Sequence, residues 1–118
     1  MKISQAFHFE AAHALPNAGE THRCRQLHGH SYRVELHLEG PVDPLTGFVA
    51  DFFAIEAAFK PLLARLDHNY LNGIEGLENP TAENIAIWIF EKMKAALPAL
   101  ACVLVYETPD CFAEYRGK

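Results

Sequence analysis

Within the segment 28–39, apolar and polar side chains alternate strictly from residue 32 onward. This pattern constrains the fold more than any other feature of the sequence. The alternating residues are, in order, Tyr32, Arg33, Val34, Glu35, Leu36, His37, Leu38 and Glu39. A period of two is typical of a β-strand with one buried face. Gly40 and Pro41 end the run. The chain therefore contains a sheet that needs a covering layer on one side only.

The remaining segments predict three more strands and two helices. In chain order, the predicted elements are strands over 3–14 and 28–39, helices over 52–66 and 81–97, and strands over 100–107 and 111–116. Asp51 is placed to cap the first helix, and Pro61 should kink or interrupt it. Residues 69–80 hold Asn-Gly and Asn-Pro pairs and are predicted to be a loop. The order β-β-α-α-β-β predicts an α+β fold, a four-stranded antiparallel sheet with two helices packed on one face.

Length and charge exclude several classes of protein. A chain of 118 residues has the size of one domain, so residues 1–118 are predicted to form a single domain. A net charge of -5 argues against a general nucleic-acid binder. No apolar run approaches the roughly 20 residues of a membrane span. Residues 1–5 show no signal-peptide pattern, so we expect a cytoplasmic protein.

Histidine is the residue type that suggests chemistry, with seven copies in the chain. His28 and His30 share one face of the clean strand, about 6.6 Å apart along the backbone. Catalytic zinc takes three protein ligands, and His13, near the end of the first strand, is the best third candidate. The competing interpretation is a histidine pair that only packs on a strand. Of the other histidines, the weaker candidates are His8 and His22, and the one that parity turns away is His37.

Cys24 lies four residues before the histidine pair and has two possible roles. It is either a fourth ligand that closes a structural metal site or a reactive thiolate beside the metal. Arg23 and Arg25 flank it, and their positive charge would favour the thiolate. Cys102 and Cys111 are interpreted as small packing residues on strands.

Three further acidic positions and one histidine have alternative interpretations. Asp67-His68 is either a helix end whose histidine complements the dipole or an acid/base histidine beside a carboxylate. Glu107 closes an apolar strand, where it either meets solvent or binds a ligand with paired N–H donors. Glu83, in the first turn of the second predicted helix, most simply complements the helix N-terminus.

Seven short motifs in this chain together resemble the 6-pyruvoyl-tetrahydropterin synthase / 6-carboxy-tetrahydropterin synthase family. They are Phe9-Glu10-Ala11-Ala12-His13, Cys24-x3-His28-Gly29-His30, Val42-Asp43-Pro44-x2-Gly47, Asp51-Phe52, Leu66-Asp67-His68-x2-Leu71-Asn72, Asn79-Pro80-Thr81-x-Glu83-Asn84 and Glu107-Thr108. The resemblance spans nearly the whole chain. It implies the tunnelling fold, in which subunits assemble into barrels, often a homohexamer of two trimers, with active sites at subunit interfaces.

The same resemblance implies a set of catalytic residues. It implies a catalytic zinc held by His13, His28 and His30. It implies Cys24 as the base that abstracts a proton, and Asp67 with His68 as the proton relay.

The resemblance also implies the substrate, 7,8-dihydroneopterin triphosphate. Glu107, assisted by Thr81, would anchor the pterin, and Arg23 and Arg25 would help to make the site positive for the triphosphate. One family branch yields 6-pyruvoyl-tetrahydropterin. The other releases acetaldehyde and yields 6-carboxy-tetrahydropterin, a precursor of queuosine. The short chain and its Tyr115-Arg116-Gly117 ending look more like the carboxy branch.

Three alternatives to this interpretation remain. The histidine pair with Glu35 fits the first metal motif of a cupin loosely, although Glu35 has the opposite parity and two helices leave too few strands for that barrel. Cys24, His68 and Asp67 are the residue types of a cysteine hydrolase, which needs no metal. A non-catalytic zinc module is the third alternative, and there Cys24 would bind zinc directly.

Overall fold

The structure, a computed structural model, describes residues 1–118 as one sheet with two α-helices. The elements are β1 (Lys2–His13), β2 (His28–Glu39), α1 (Phe52–Leu66), β3 (Asn69–Tyr70), α2 (Ala82–Met93), β4 (Leu100–Thr108) and β5 (Cys111–Tyr115). Short 3₁₀ helices lie at Arg23–Arg25 and Leu71–Gly73. The α+β class is confirmed. No helix combines the length and hydropathy that a membrane span requires.

The sheet has five strands, so the prediction of four was wrong by one. The strand order is β3-β1-β2-β4-β5. The added strand, β3, pairs Asn69 and Tyr70 in parallel with Ala11 and Ala12, inside the segment that was predicted to be a loop. Two residues are too few to show an alternating pattern, which is why the sequence does not reveal them. The other pairings, β1 with β2, β2 with β4 and β4 with β5, are antiparallel as predicted.

Helix α1 begins where the sequence predicts and crosses Pro61 without interruption. The Asp51 side chain accepts a hydrogen bond from the Phe53 amide at 2.9 Å, the predicted cap. A proline inside a helix removes one backbone donor. Phe59 and Leu62, on either side of it, are both buried in the core, and this packing offsets the lost bond.

Helix α2 is shorter than predicted, because it ends at Met93 and not at Leu97. Thr81 caps its start, where the hydroxyl accepts from the Asn84 amide at 3.1 Å. Leu97 keeps a helix-like position because its amide donates to the Met93 carbonyl at 2.8 Å, and its side chain is buried. The helical spacing of buried side chains therefore continues to Leu97, through a turn that follows the regular helix.

The helices cover one face of the sheet, and the core lies between them. The even-numbered apolar residues of β2, from Tyr32 to Leu38, are all buried on this face, together with Phe7 and Phe9 of β1. Toward one end of the same face, apolar side chains give way to histidines. The opposite face carries His37, whose Nε2 lies 2.9 Å from a Glu35 carboxylate oxygen, so parity places this histidine as predicted.

Candidate metal centre

The strand register brings three histidines and a glutamate together at the end of the buried face. His13 of β1 stands directly opposite His28 of β2, and His30 follows two residues later on the same face. Glu107 lies two residues beyond Val105 of β4, which pairs with Val34 of β2 on that face. One ligand atom from each of the four side chains lies within 4.8 Å of all the others.

The contacts within this group are short. The Nε2 atoms of His13 and His28 are 3.0 Å apart. The Oε1 atom of Glu107 lies 3.2 Å from Nε2 of His13 and 3.1 Å from Nε2 of His30. Three imidazole nitrogens and one carboxylate oxygen therefore converge on one point.

In His13 and His28, the contacts of Nδ1 determine which ring nitrogen faces the group. Nδ1 of His13 lies 2.8 Å from the Pro80 carbonyl oxygen, and Nδ1 of His28 lies 2.7 Å from the Gln26 carbonyl oxygen. A carbonyl only accepts, so each Nδ1 carries the hydrogen and each neutral ring turns the lone pair of Nε2 inward. Two lone pairs that face each other at 3.0 Å repel, and a shared cation removes that repulsion.

The donor set fits a divalent metal, and zinc in particular. With Zn–N bonds of about 2.0–2.1 Å, tetrahedral geometry separates two nitrogen ligands by about 3.3 Å, close to the spacing seen. Nε2 of His30 is buried and has no hydrogen-bond partner of good geometry, although the Glu107 oxygen is near. Burial lowers the pKa of His13 and of His30, which keeps both rings neutral and able to bind a metal near pH 7.

Cys24 lies outside this group, on the 3₁₀ helix Arg23–Arg25, with a half-buried side chain. Its carbonyl accepts from the Leu15 amide at 2.7 Å, two residues beyond the first histidine ligand. Its amide donates to Nδ1 of His22 at 3.0 Å. His22, which sequence reasoning left without a role, is thus the N-cap of the turn that carries the thiol.

The two arginines beside Cys24 are exposed. Arg25 donates from Nη1 to the Pro16 carbonyl at 2.9 Å, which ties it to the neighbouring loop. The other two cysteines differ from each other. Cys102 is buried as expected of a packing residue, whereas Cys111 is exposed at the start of β5, where the expected packing does not occur.

Asp67 and His68 follow α1 and are held by the backbone of Glu10. The Asp67 carboxylate accepts from the Glu10 amide at 2.9 Å, which lowers the pKa of this acid, and it lies 3.0 Å from Nδ1 of His68. The His68 amide donates to the Glu10 carbonyl at 2.5 Å. His68 has a φ of 59° in the left-handed region, and its side chain is 77% exposed.

The structure does not bring Asp67 and His68 into the candidate metal-binding group, which consists of His13, His28, His30 and Glu107 and is called the metal-binding group below. His68 instead borders a surface cavity of about 610 Å³, whose lining includes Gly29, His30 and Ser31. Gly29 and Ser31 alternate with the histidines along β2, so their side-chain positions lie on the face of the sheet that the helices leave open. His30 lines this cavity and also belongs to the group of four, whereas His68 lies outside that group.

Glu107 and Thr81, the predicted pterin contacts, lie beside a smaller cavity. This cavity of about 220 Å³ is lined by Ala82, Glu83, Glu107, Cys111, Phe112 and Ala113. Thr81 immediately precedes Ala82 in the sequence, and the Thr81 hydroxyl caps the start of α2. Glu83 is exposed on the same cavity, so two carboxylates border it where sequence reasoning gave a binding role to one.

Sequence reasoning missed the groups that support the ligands. The hydroxyl of Tyr32 lies 3.2 Å from Nδ1 of His13. The Asn72 side chain contacts the backbone of Ala14, next to the same ligand. Parity alone marks Tyr32 as a neighbour, because it follows His30 on the same face. No periodic signal marks Asn72, although it stands inside a motif shared with the family.

The fold and the site together define an α+β protein with a group of side chains at one end of its sheet that could hold a metal ion. A sequence profile described as 6-pyruvoyl tetrahydropterin synthase matches residues 2–118, and the chain belongs to that family. A relative from Synechocystis, named 6-carboxy-5,6,7,8-tetrahydropterin synthase, is 44% identical over 96% of this chain and 91% of its own. The structure of Caenorhabditis elegans 6-pyruvoyl tetrahydropterin synthase covers this chain fully and 96% of its own, with a TM-score of 0.92 and 29% identity. This likeness confirms the tunnelling fold.

A further relative carries a different name. The dihydroneopterin monophosphate aldolase of Pyrococcus furiosus is 38% identical to this chain over 90 residues, which cover 76% of this chain and 72% of that protein. Relatives of this chain thus carry the names of different reactions on related compounds, and the likeness alone does not fix the reaction.

Proposed function

We propose that the protein is a zinc-dependent lyase that converts 7,8-dihydroneopterin triphosphate and one water molecule to 6-carboxy-5,6,7,8-tetrahydropterin, with release of acetaldehyde and triphosphate. The convergence of three imidazole Nε2 atoms and Glu107 on one point carries this proposal. The 44% identity to a relative that bears the name of this synthase supports the choice of product. The product is a precursor of queuosine, which makes queuosine biosynthesis the proposed pathway.

The proposed chemistry divides between the metal and the side chains around it. When bound, zinc supplies Lewis-acid polarisation of the substrate side-chain hydroxyls, which makes the adjacent C–H proton more acidic. Cys24, held in its turn by His22 and the Leu15 amide, accepts that proton as the thiolate. His68, oriented by the Asp67 carboxylate, returns a proton to the ring.

Carboxylates of the small cavity would hold the pterin edge. A carboxylate can accept two parallel N–H bonds from such an edge. Glu107 serves as the anchor only through the oxygen that does not face the histidines, because Oε1 contacts His13 and His30. Glu83 is the alternative anchor on the same cavity. Glu83→Gln should then raise KM with metal affinity unchanged, whereas Glu107→Gln should also weaken metal binding.

Completion of the site would require a second copy of the chain. His68 is 77% exposed and separate from the metal-binding group, so a neighbouring subunit would have to bring its own His68 to the metal. The homohexamer of two trimers implied by the family resemblance would supply that neighbour. The same neighbour would add positive charge near Arg23 and Arg25, since an acidic chain must bind a triphosphate.

Two other reactions remain as candidates within the family. One is the elimination of triphosphate without side-chain cleavage, the 6-pyruvoyl branch. The other is an aldol cleavage like that named for the Pyrococcus furiosus relative, for which the 38% identity is the supporting observation.

The deciding experiment is incubation of the zinc-loaded chain with dihydroneopterin triphosphate, and separately with dihydroneopterin monophosphate. We expect equal amounts of acetaldehyde and triphosphate, and a product with the mass of the 6-carboxy compound. Triphosphate without acetaldehyde would favour the pyruvoyl branch. Turnover of the monophosphate alone would favour the aldolase, and no turnover of either compound would contradict the proposal.

A further inference from the structure

We propose that Asn72 is a positioning residue of the metal centre, because its carboxamide holds the backbone next to His13 and so sets where that ligand points. This inference rests on the proposed metal centre. Nothing in the resemblance or in the names of the relatives gives Asn72 a role.

The carboxamide of Asn72 acts as a backbone partner for Ala14. Oδ1 accepts from the Ala14 amide at 2.9 Å, and Nδ2 donates to the Ala14 carbonyl at 2.7 Å. The ladder between β1 and β2 ends one residue earlier, at the pair His13 and His28. A side-chain amide presents the same donor and acceptor as a peptide group, so Asn72 extends the pairing of β1 by one residue.

This contact reaches the metal-binding group through a ligand that has no freedom to adjust. The His13 side chain is 0% exposed. Its Nδ1 is bound to the Pro80 carbonyl at 2.8 Å. Because the ring cannot turn to compensate, a shift of the Ala14 backbone strains the position of Nε2 of His13, and metal ligands must hold their geometry within about 0.5 Å.

One stretch of chain holds most of this edge of β1. Asp67 and His68 bind the backbone of Glu10. Asn69 and Tyr70 pair with Ala11 and Ala12 as β3. The Asn72 carboxamide ends the series at Ala14, so β3 holds the residue before His13 and Asn72 holds the residue after it. The ladder with β2 has ended at Ala14, and we therefore assign to Asn72 the alignment of the first histidine from that side.

Asn69 provides a matched control in the same stretch. Its Nδ2 donates to the carbonyls of Ala64 and Arg65 at 3.3 and 3.0 Å, at the end of α1. Loss of this side chain should weaken the helix end without a change in the ligand. Asn69→Ala and Asn72→Ala thus remove the same group from two sites, of which one touches the metal ligand strand.

The test is the affinity of the metal-free chain for Co²⁺ and Zn²⁺, measured by competition with a chelating dye and by the visible absorption of bound Co²⁺. We expect Asn72→Ala to weaken affinity about 10- to 100-fold, as loss of a supporting group does at other metal sites. Asn69→Ala should change it less than about twofold. The melting temperature of each metal-free variant separates loss of fold from loss of affinity.

Asn72→Asp guards against a variant that does not fold. It keeps the shape and the bond from the Ala14 amide, but it sets a carboxylate oxygen against the Ala14 carbonyl, so its affinity should also fall. Unchanged affinity in a folded Asn72 variant would overturn this inference and leave the metal centre intact. An equal loss in Asn69→Ala would overturn it as well, since the effect would be general. If the wild-type chain binds neither ion, the metal centre and the inference fail together.

Discussion

The metal-binding group and the Asp67–His68 pair are built in opposite ways. The ligands stand on long strands, and their positions follow from register, with His13 fully buried. The pair stands just after a helix, its position follows from bonds to the backbone of Glu10, and His68 is largely exposed. The group of four, of which His13 is buried and the others are half-buried, takes all its candidate ligands from one chain. In the proposed mechanism, the exposed His68 instead depends on a second copy of the chain to reach the substrate.

The largest expected effect tests whether the residues of the metal-binding group bind the metal without help from a second chain. His28→Ala removes one of three nitrogen ligands and should weaken Zn²⁺ binding more than about 100-fold, beyond what loss of a supporting group does. Dye competition on the metal-free chain measures this. His8→Ala, an exposed histidine of β1 outside the group, is the control and should bind as the wild type does. Stoichiometric zinc in His28→Ala would show that the group is not the metal site.

The next effect tests whether the Cys24 thiol acts as a base or binds the metal. Cys24→Ala should keep its zinc and lose turnover about 10²- to 10⁴-fold, the usual contribution of a general base. Metal analysis and the acetaldehyde assay on one sample measure both. An empty site in this variant would restore the alternative in which Cys24 binds the metal. Full turnover would remove it from the mechanism.

A smaller effect asks whether the turn that carries the thiol depends on its cap. His22→Ala removes the acceptor of the Cys24 amide, and a lost cap costs about 1 kcal/mol. Because about 1.4 kcal/mol is a factor of ten, we expect kcat to fall about fivefold with KM unchanged. His22→Asn restores an acceptor and should recover most of kcat. Equal rates in the two variants would mean that the cap does not matter.

The smallest effect tests how the exposed pair is held, through pH. The Glu10 amide lowers the pKa of Asp67 below its usual value, so the folded state is favoured while this acid is ionised. That contribution is present above the unfolded pKa of about 3.9 and is lost as pH falls through the folded value. Denaturant unfolding should thus show a larger difference in the free energy of unfolding between the wild type and Asp67→Asn at pH 7 than at pH 3. A constant gap would contradict the role of this bond.

Strand parity predicts much of the fold and of the buried group. The alternation of β2 gives its bounds, the buried side chains and the shared face of His28 and His30. The position of Glu107 beside the histidines depends on how β4 pairs with β2, and a single sequence holds no register. Side-chain contacts to backbone, such as those of His22 and Asn72, leave no periodic signal at all. The strand β3 also leaves no periodic signal, because it has only two residues.

The left-handed backbone at His68 sets stability against function at one position. An L-residue other than glycine pays about 1–2 kcal/mol for that conformation, whereas glycine adopts it freely. A glycine there should therefore raise the melting temperature of the isolated chain and remove the imidazole from the surface. The left-handed conformation thus costs stability at the residue that we propose as the proton donor, and this outlier supports the hypothesis that the imidazole acts in the proposed reaction.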